Sequence, residues 1–101
     1  MTAYLIVRAE VAESDRSAFD YWYETEHLPD ASKAFRSLSA RRGWSDTMPG
    51  LHFAIYEFPD LERAREIASS RAIQELITEF DRVWQDRVTR TREILEIKQL
   101  L

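Results

Sequence analysis

Hydrophobic residues in this chain recur at every second position in four stretches and at helical spacing in two, in the order strand, helix, strand, strand, helix, strand. Residues 2–11 read as the first strand, with Ala3, Leu5, Val7, Ala9 and Val11 on one face and Tyr4, Ile6, Arg8 and Glu10 on the other. Glu13-Ser14-Asp15 offers an N-cap to a helix running from about Asp15 to His27, and Asp30 caps a short helical turn through Phe35. Leu38 to Trp44 and Leu51 to Phe58 are the next two strands, joined by the turn chemistry of Ser45-Asp46-Thr47-Met48-Pro49-Gly50. Pro59-Asp60 starts a helix at Leu61, and Ser69-Ser70 caps its continuation or a second helix. There Ile73, Leu76, Ile77, Phe80 and Trp84 keep helical spacing to about Arg87. Arg90 to Lys98 is the last strand, charged at alternate positions as an edge strand would be.

The order βαββαβ is the split βαβ, ferredoxin-like unit: an α+β fold with a four-stranded antiparallel sheet and helices on one face. The 101 residues make one such domain, spanning 1–101. In the third strand Leu51, Phe53 and Ile55 oppose His52, Ala54, Tyr56 and Phe58, so both faces of the sheet carry apolar residues. The face without helices needs cover, and a second copy packing sheet to sheet supplies it; a homodimer is expected.

Composition closes several routes. A net charge of −4 disfavours nucleic acid, which is bound through clustered cations. Arg41-Arg42 and the arginines at 82, 87, 90 and 92 are local exceptions flanked by acidic residues. No segment approaches the roughly 18 apolar residues of a membrane helix. The absence of cysteine removes disulfide and thiolate chemistry and is compatible with a cytoplasmic location. Two histidines without H-x-H or H-x-x-x-H spacing make no zinc site, and no cofactor is expected.

The candidate chemistry starts in Phe19-Asp20-Tyr21-Trp22-Tyr23-Glu24-Thr25-Glu26-His27-Leu28-Pro29. Phe19, Trp22, Tyr23, Glu26 and His27 form one helical stripe that passes from aromatic to ionisable, and the stripe is expected to end before Pro29. A histidine at a helix C-terminus has its pKa raised by the dipole, which is a sufficient structural role. The functional reading makes His27 a general acid or base, tuned by Glu26, although adjacent helix residues do not face one another. His52 and Tyr56 share a strand face with small Ala54 between them, a spacing that suits either a ligand or a dimer interface. Trp22, Tyr23, Trp44, Phe53, Phe58 and Trp84 are either core or the wall of an apolar cavity. Arg41 and Arg42 point to opposite faces, so one enters a buried setting and needs Glu26 or a substrate carboxylate as partner.

Trp22-Tyr23-x-x-Glu26-His27-Leu28-Pro29 after a first strand resembles the signature of the dimeric α+β barrel proteins, with the EthD-like and antibiotic-biosynthesis-monooxygenase-like families nearest. Leu38-Ser39-Ala40-Arg41-Arg42 and Arg87-Val88-Thr89-Arg90-Thr91-Arg92 resemble segments of the same group. The resemblance implies a range that includes cofactor-free monooxygenases, lactone isomerases, polyketide cyclases, haem-degrading enzymes and proteins without activity. The haem-degrading and quinone-forming members depend on an asparagine, and this chain has none. Cyclase-like members use a histidine and a tyrosine, types that His27, His52, Tyr23 and Tyr56 supply. Three readings stay open. One is a cofactor-independent enzyme acting on a small aromatic or polyketide-like compound. In it a histidine moves the proton, a tyrosine bonds the oxyanion, and Trp22, Glu26, Arg41, Trp44 and Trp84 contact substrate. The second is a non-catalytic, stress-associated or hydrophobic-ligand-binding protein, and the third a structural homodimer without ligand.

Overall fold

The computed structural model describes residues 1–101. Four strands, β1 (Ala3–Val11), β2 (Ser39–Trp44), β3 (Leu51–Phe58) and β4 (Val88–Glu96), form one antiparallel sheet in the order β2-β3-β1-β4. The first helical segment is α1 (Arg16–Trp22), a π-helical turn (Tyr23–His27) and α2 (Leu28–Phe35); the second is α3 (Leu61–Ala68) and α4 (Arg71–Trp84). Asp60 and Ser70 cap α3 and α4, accepting from the backbone N–H of Arg63 and Ile73 at 2.8 and 3.2 Å. The ferredoxin-like fold read from the periodicities is the one observed. β4 begins and ends two residues earlier than the expected 90–98, and it is an edge strand.

Register fixes the two faces of the sheet. Leu5, Val7 and Ala9 pair with Tyr56, Ala54 and His52 on one side and with Ile94, Arg92 and Arg90 on the other. All of these share the helix-facing side, because paired residues in a ladder project the same way. Ala40, Arg42 and Trp44 join them from β2, opposite Tyr56, Ala54 and His52. The open side carries Tyr4, Ile6, Phe53 and Ile55, half-buried, with Arg8 over the Phe53 ring at 5.4 Å.

The first helical segment departs from the expected stop at Pro29. Leu28 keeps helical dihedrals (φ −65°, ψ −46°), and Pro29 lies in the first turn of α2. The chain widens there instead of ending. The Leu28 N–H reaches back five residues to the Tyr23 carbonyl. A proline inside a regular helix clashes with the carbonyl four residues before it, here that of Thr25, and a wider π turn relieves that contact. The Thr25 hydroxyl adds to the local distortion by donating to the Tyr21 carbonyl at 2.8 Å. The buried residues show the result: Phe19, Trp22 and Tyr23 keep one helical phase, while His27, Ala31 and Phe35 follow one residue late. The extra residue turns Glu26 to solvent, so it leaves the stripe in which α-helical spacing placed it.

Candidate functional site

Helices α2 and α4 and the inner sheet face enclose a cleft lined by Tyr23, His27, Tyr56, Leu76, Arg90 and Arg92, among others. Its volume is about 20 Å³, room for roughly one water molecule. Leu5, Ile73, Ile77 and Arg92 also line an open groove of about 410 Å³ along α4 and β4, so the cleft continues outward past Arg92.

His27 forms part of the cleft wall and is only 8% exposed. It stacks on Trp22 at 4.5 Å and 19° and meets Tyr23 and Phe80 edge-on at 4.8 and 5.7 Å. The expected rise in its pKa does not occur, because the helix does not end there. Burial, followed by the Arg90 charge, lowers it from 6.5 to about 4; Glu79 opposes this and Arg92 adds to it. The imidazole is therefore neutral at pH 7. Tyr23 and Tyr56 reach the cleft from the π turn and from β3, each 1% exposed. Burial pushes the Tyr23 phenol up to about 12, against the neighbouring Tyr56 hydroxyl and the Arg90, Arg92 and Arg42 charges. Burial also raises Tyr56 well above its ordinary value, and its closeness to Tyr23 adds to the rise. Both phenols remain hydrogen-bond donors at neutral pH.

Arg90 and Arg92 are the polar residues that the sequence reading missed as cleft components. As alternate charges on a final strand they look solvated, yet Val88, Arg90, Arg92 and Ile94 are one alternating set whose apolar ends belong inside. That set was the available signal. Arg90 lies 3.8 Å over the Phe80 ring and donates to Asp81 Oδ1 at 2.9 Å.

His52 is fully buried on the helix-facing side, but it does not line the cleft. The rings of Tyr23, Trp44 and Phe19 enclose it at 4.5, 4.9 and 5.2 Å, filling the gap expected beside Ala54. Its Nε2 is 3.5 Å from Arg42 Nη1, and its Nδ1 has no partner. Burial, then Arg42, lowers its pKa to about 4. Of the arginine pair, Arg42 turns inward and Arg41 lies exposed on the open face, away from the cleft. The partner of Arg42 is Asp20, at 2.7 Å, where Glu26 or a substrate was expected. Asp20 Oδ1 also accepts from Trp44 Nε1 at 2.8 Å, and the Arg42 and Trp44 bonds hold its carboxyl below the usual range. Trp22 and Trp84 pack with Phe19 and Phe80 behind the cleft. Thus Tyr23, Tyr56 and His27 are brought together, the three tryptophans and His52 pack behind them, and Glu26 and Arg41 stand apart.

No protein-family model and no curated protein matches the sequence. Solved structures do match. An EthD family protein from Bacillus halodurans superposes with a TM-score of 0.75 at 18% identity, over 97% of this chain and 100% of its own. A NIPSNAP family protein of unknown function from Agrobacterium tumefaciens gives 0.73 at 17% identity, over 99% and 91%. SnoaB, a cofactor-independent oxygenase from Streptomyces nogalater, in mutant form, gives 0.70 at 11% identity, over 99% and 96%. At these identities the likeness establishes the fold, a ferredoxin-like α+β fold.

Proposed function

We propose that the protein is a homodimeric, cofactor-independent enzyme that removes a proton from a small aromatic or polyketide-like compound, opening an isomerase, cyclase or oxygenase route. One observation carries this reading: a neutral imidazole and two protonated phenols converge on a single cleft with guanidinium groups at its edge. His27 accepts the proton from an acidic C–H or phenolic O–H. The electron pair left behind settles on the substrate oxygen, which accepts hydrogen bonds from Tyr23 or Tyr56. A base near 4, depressed first by burial and then by Arg90, is weak alone, but a negative charge developing on the substrate beside it favours the imidazolium, so proton affinity rises as the reaction proceeds. A cofactor-independent oxygenase shares the fold, which is compatible with cofactor-free chemistry and chooses neither the reaction nor the substrate. The half-buried apolar residues of the open sheet face support the dimer.

Hydrogen–deuterium exchange at the acidic C–H of β-dicarbonyl compounds in D₂O, followed by proton NMR, tests the chemistry. Wild type is expected to accelerate exchange for at least one compound, and His27→Gln to lose at least tenfold of that rate. Equal rates for the two proteins would remove His27 from the mechanism. The cleft volume of about 20 Å³ favours a second reading, a structural homodimer with a filled interior. Absence of both exchange and ligand-induced thermal stabilisation across a panel of phenols, lactones and β-dicarbonyls would select it.

A further inference from the structure

Three guanidinium groups lie on the inner face of the sheet, and two of them have carboxylate partners. Arg42 is paired with Asp20, and Arg90 with Asp81. None of the ion pairs of the protein involves Arg92. Arg92 is also the polar residue shared by the inner cleft and the outer groove. Around it, Leu5, Ile73 and Ile77 give the passage apolar walls, and the other polar groups along the groove are Gln74 and Glu93. Glu93 belongs to the other face of β4, at the position paired with Ile6, and makes no ion pair with its neighbour. The passage is therefore apolar on its walls and carries an exposed guanidinium without an ion-pair partner where the two spaces join.

We propose that Arg92, supported by Arg90, is an anion-recognition element, and that the substrate is an aromatic or enolisable carboxylate. Its carboxylate is held at Arg92, and its ring lies against Leu5, Ile73 and Ile77 in the roomier groove, with the reacting edge turned toward Tyr23, His27 and Tyr56 at the cleft. The planar guanidinium suits this role because it can meet a carboxylate with two parallel N–H donors. Charge complementarity also sets the orientation. Arg90 inside the cleft is already paired with Asp81, whereas Arg92, where cleft and groove meet, has no carboxylate partner, so the anion settles at the mouth. The reacting group is thereby directed inward. Arg92 acts on binding and orientation and takes no part in proton transfer.

This assignment rests on the cleft being the substrate site, and matched ligands separate the two claims. 6-Hydroxy-2-naphthoate, its methyl ester and 2-naphthol are titrated into the full protein with naphthalene fluorescence as the readout. Wild type is expected to bind the acid at least tenfold more tightly than the ester, with the ratio shrinking as salt is added. Arg92→Gln is expected to weaken the acid about tenfold and leave the ester unchanged, and Arg92→Lys to recover part of the loss. Equal affinity of wild type for acid and ester overturns the anion assignment while leaving the aromatic cleft in place. A preference that survives in Arg92→Gln overturns the role of Arg92. Failure of all three ligands to bind overturns the cleft as an aromatic site and this assignment with it. The wild-type comparison between acid and ester decides the matter even if a variant folds poorly.

Discussion

His27 and His52 carry the same lowered pKa, about 4, for the same leading reason, yet they sit in different places. His27 faces a cleft, while His52 is enclosed by three aromatic rings and leaves one nitrogen unpartnered. Both affect stability in one direction. The unfolded chain takes up their protons as pH falls through 6.5, and the folded chain cannot do so until about 4. Stability present at neutral pH is thus lost progressively across that window, on the order of 3 kcal/mol for each histidine. Urea unfolding midpoints are expected to fall from pH 7 to pH 4.5. His52→Phe, which keeps an aromatic group and leaves the Asp20–Arg42 pair intact, is expected to flatten that fall. An unaltered pH slope in this variant would show that His52 is not held neutral in the native state. Neither lowered pKa was legible in the sequence, because desolvation depends on what surrounds a side chain in space. Residue type alone pointed to His27, Tyr23 and Tyr56; it could not separate them from His52.

The π turn between α1 and α2 changed more of the sequence reading than any other element. A spacing of 3.6 residues grouped Glu26 with Phe19, Trp22, Tyr23 and His27, and the rule for residues before proline ended the helix at Leu28. Both inferences assumed a regular helix. One extra residue in a wider turn moves Glu26 out, admits Pro29 to the first turn of α2, and sets His27 edge-on to Tyr23 at 4.8 Å. Removing that residue tests the account. Deletion of Thr25 returns Phe19, Trp22, Tyr23, His27, Leu28, Ala31 and Phe35 to a single α-helical phase. Helix content by circular dichroism is therefore expected to persist. Since His27 then turns relative to Tyr23, proton exchange is expected to drop more than tenfold. Unchanged exchange, or a structure of the deletion variant that keeps a π turn, would show that the turn does not position His27. At the same scale, β4 hid its arginines because charge alternation on an edge strand is the ordinary pattern of a solvated edge.

For the whole molecule, the two faces of one sheet set two different tasks. The helix-facing side holds the cleft, and the open side presents Tyr4, Ile6, Phe53 and Ile55 between charged residues. If that open side joins two copies, a charge at its centre breaks the pair. Ile55, opposite Ile6 at the middle of the sheet, is the suitable position. Light scattering after gel filtration is expected to give wild type twice the 11.9 kDa chain mass, and Ile55→Glu the single-chain mass. A monomeric wild type would remove the dimer, and an Ile55→Glu dimer would move the interface elsewhere. No helix is long and apolar enough to cross a membrane.

The sequence by itself determined the element order, the strand faces and the ferredoxin-like fold, because periods of two and of 3.6 residues are local properties that survive without tertiary context. It also contained the residues of the cleft. Only the tertiary structure decided which of them meet: Arg42 rather than Arg41 inside, Asp20 rather than Glu26 as its partner, and Arg90 and Arg92 beside His27. Those outcomes depend on strand register and on one additional residue in a helical turn. A shift of one position exchanges the two faces of a strand, and composition carries no record of it.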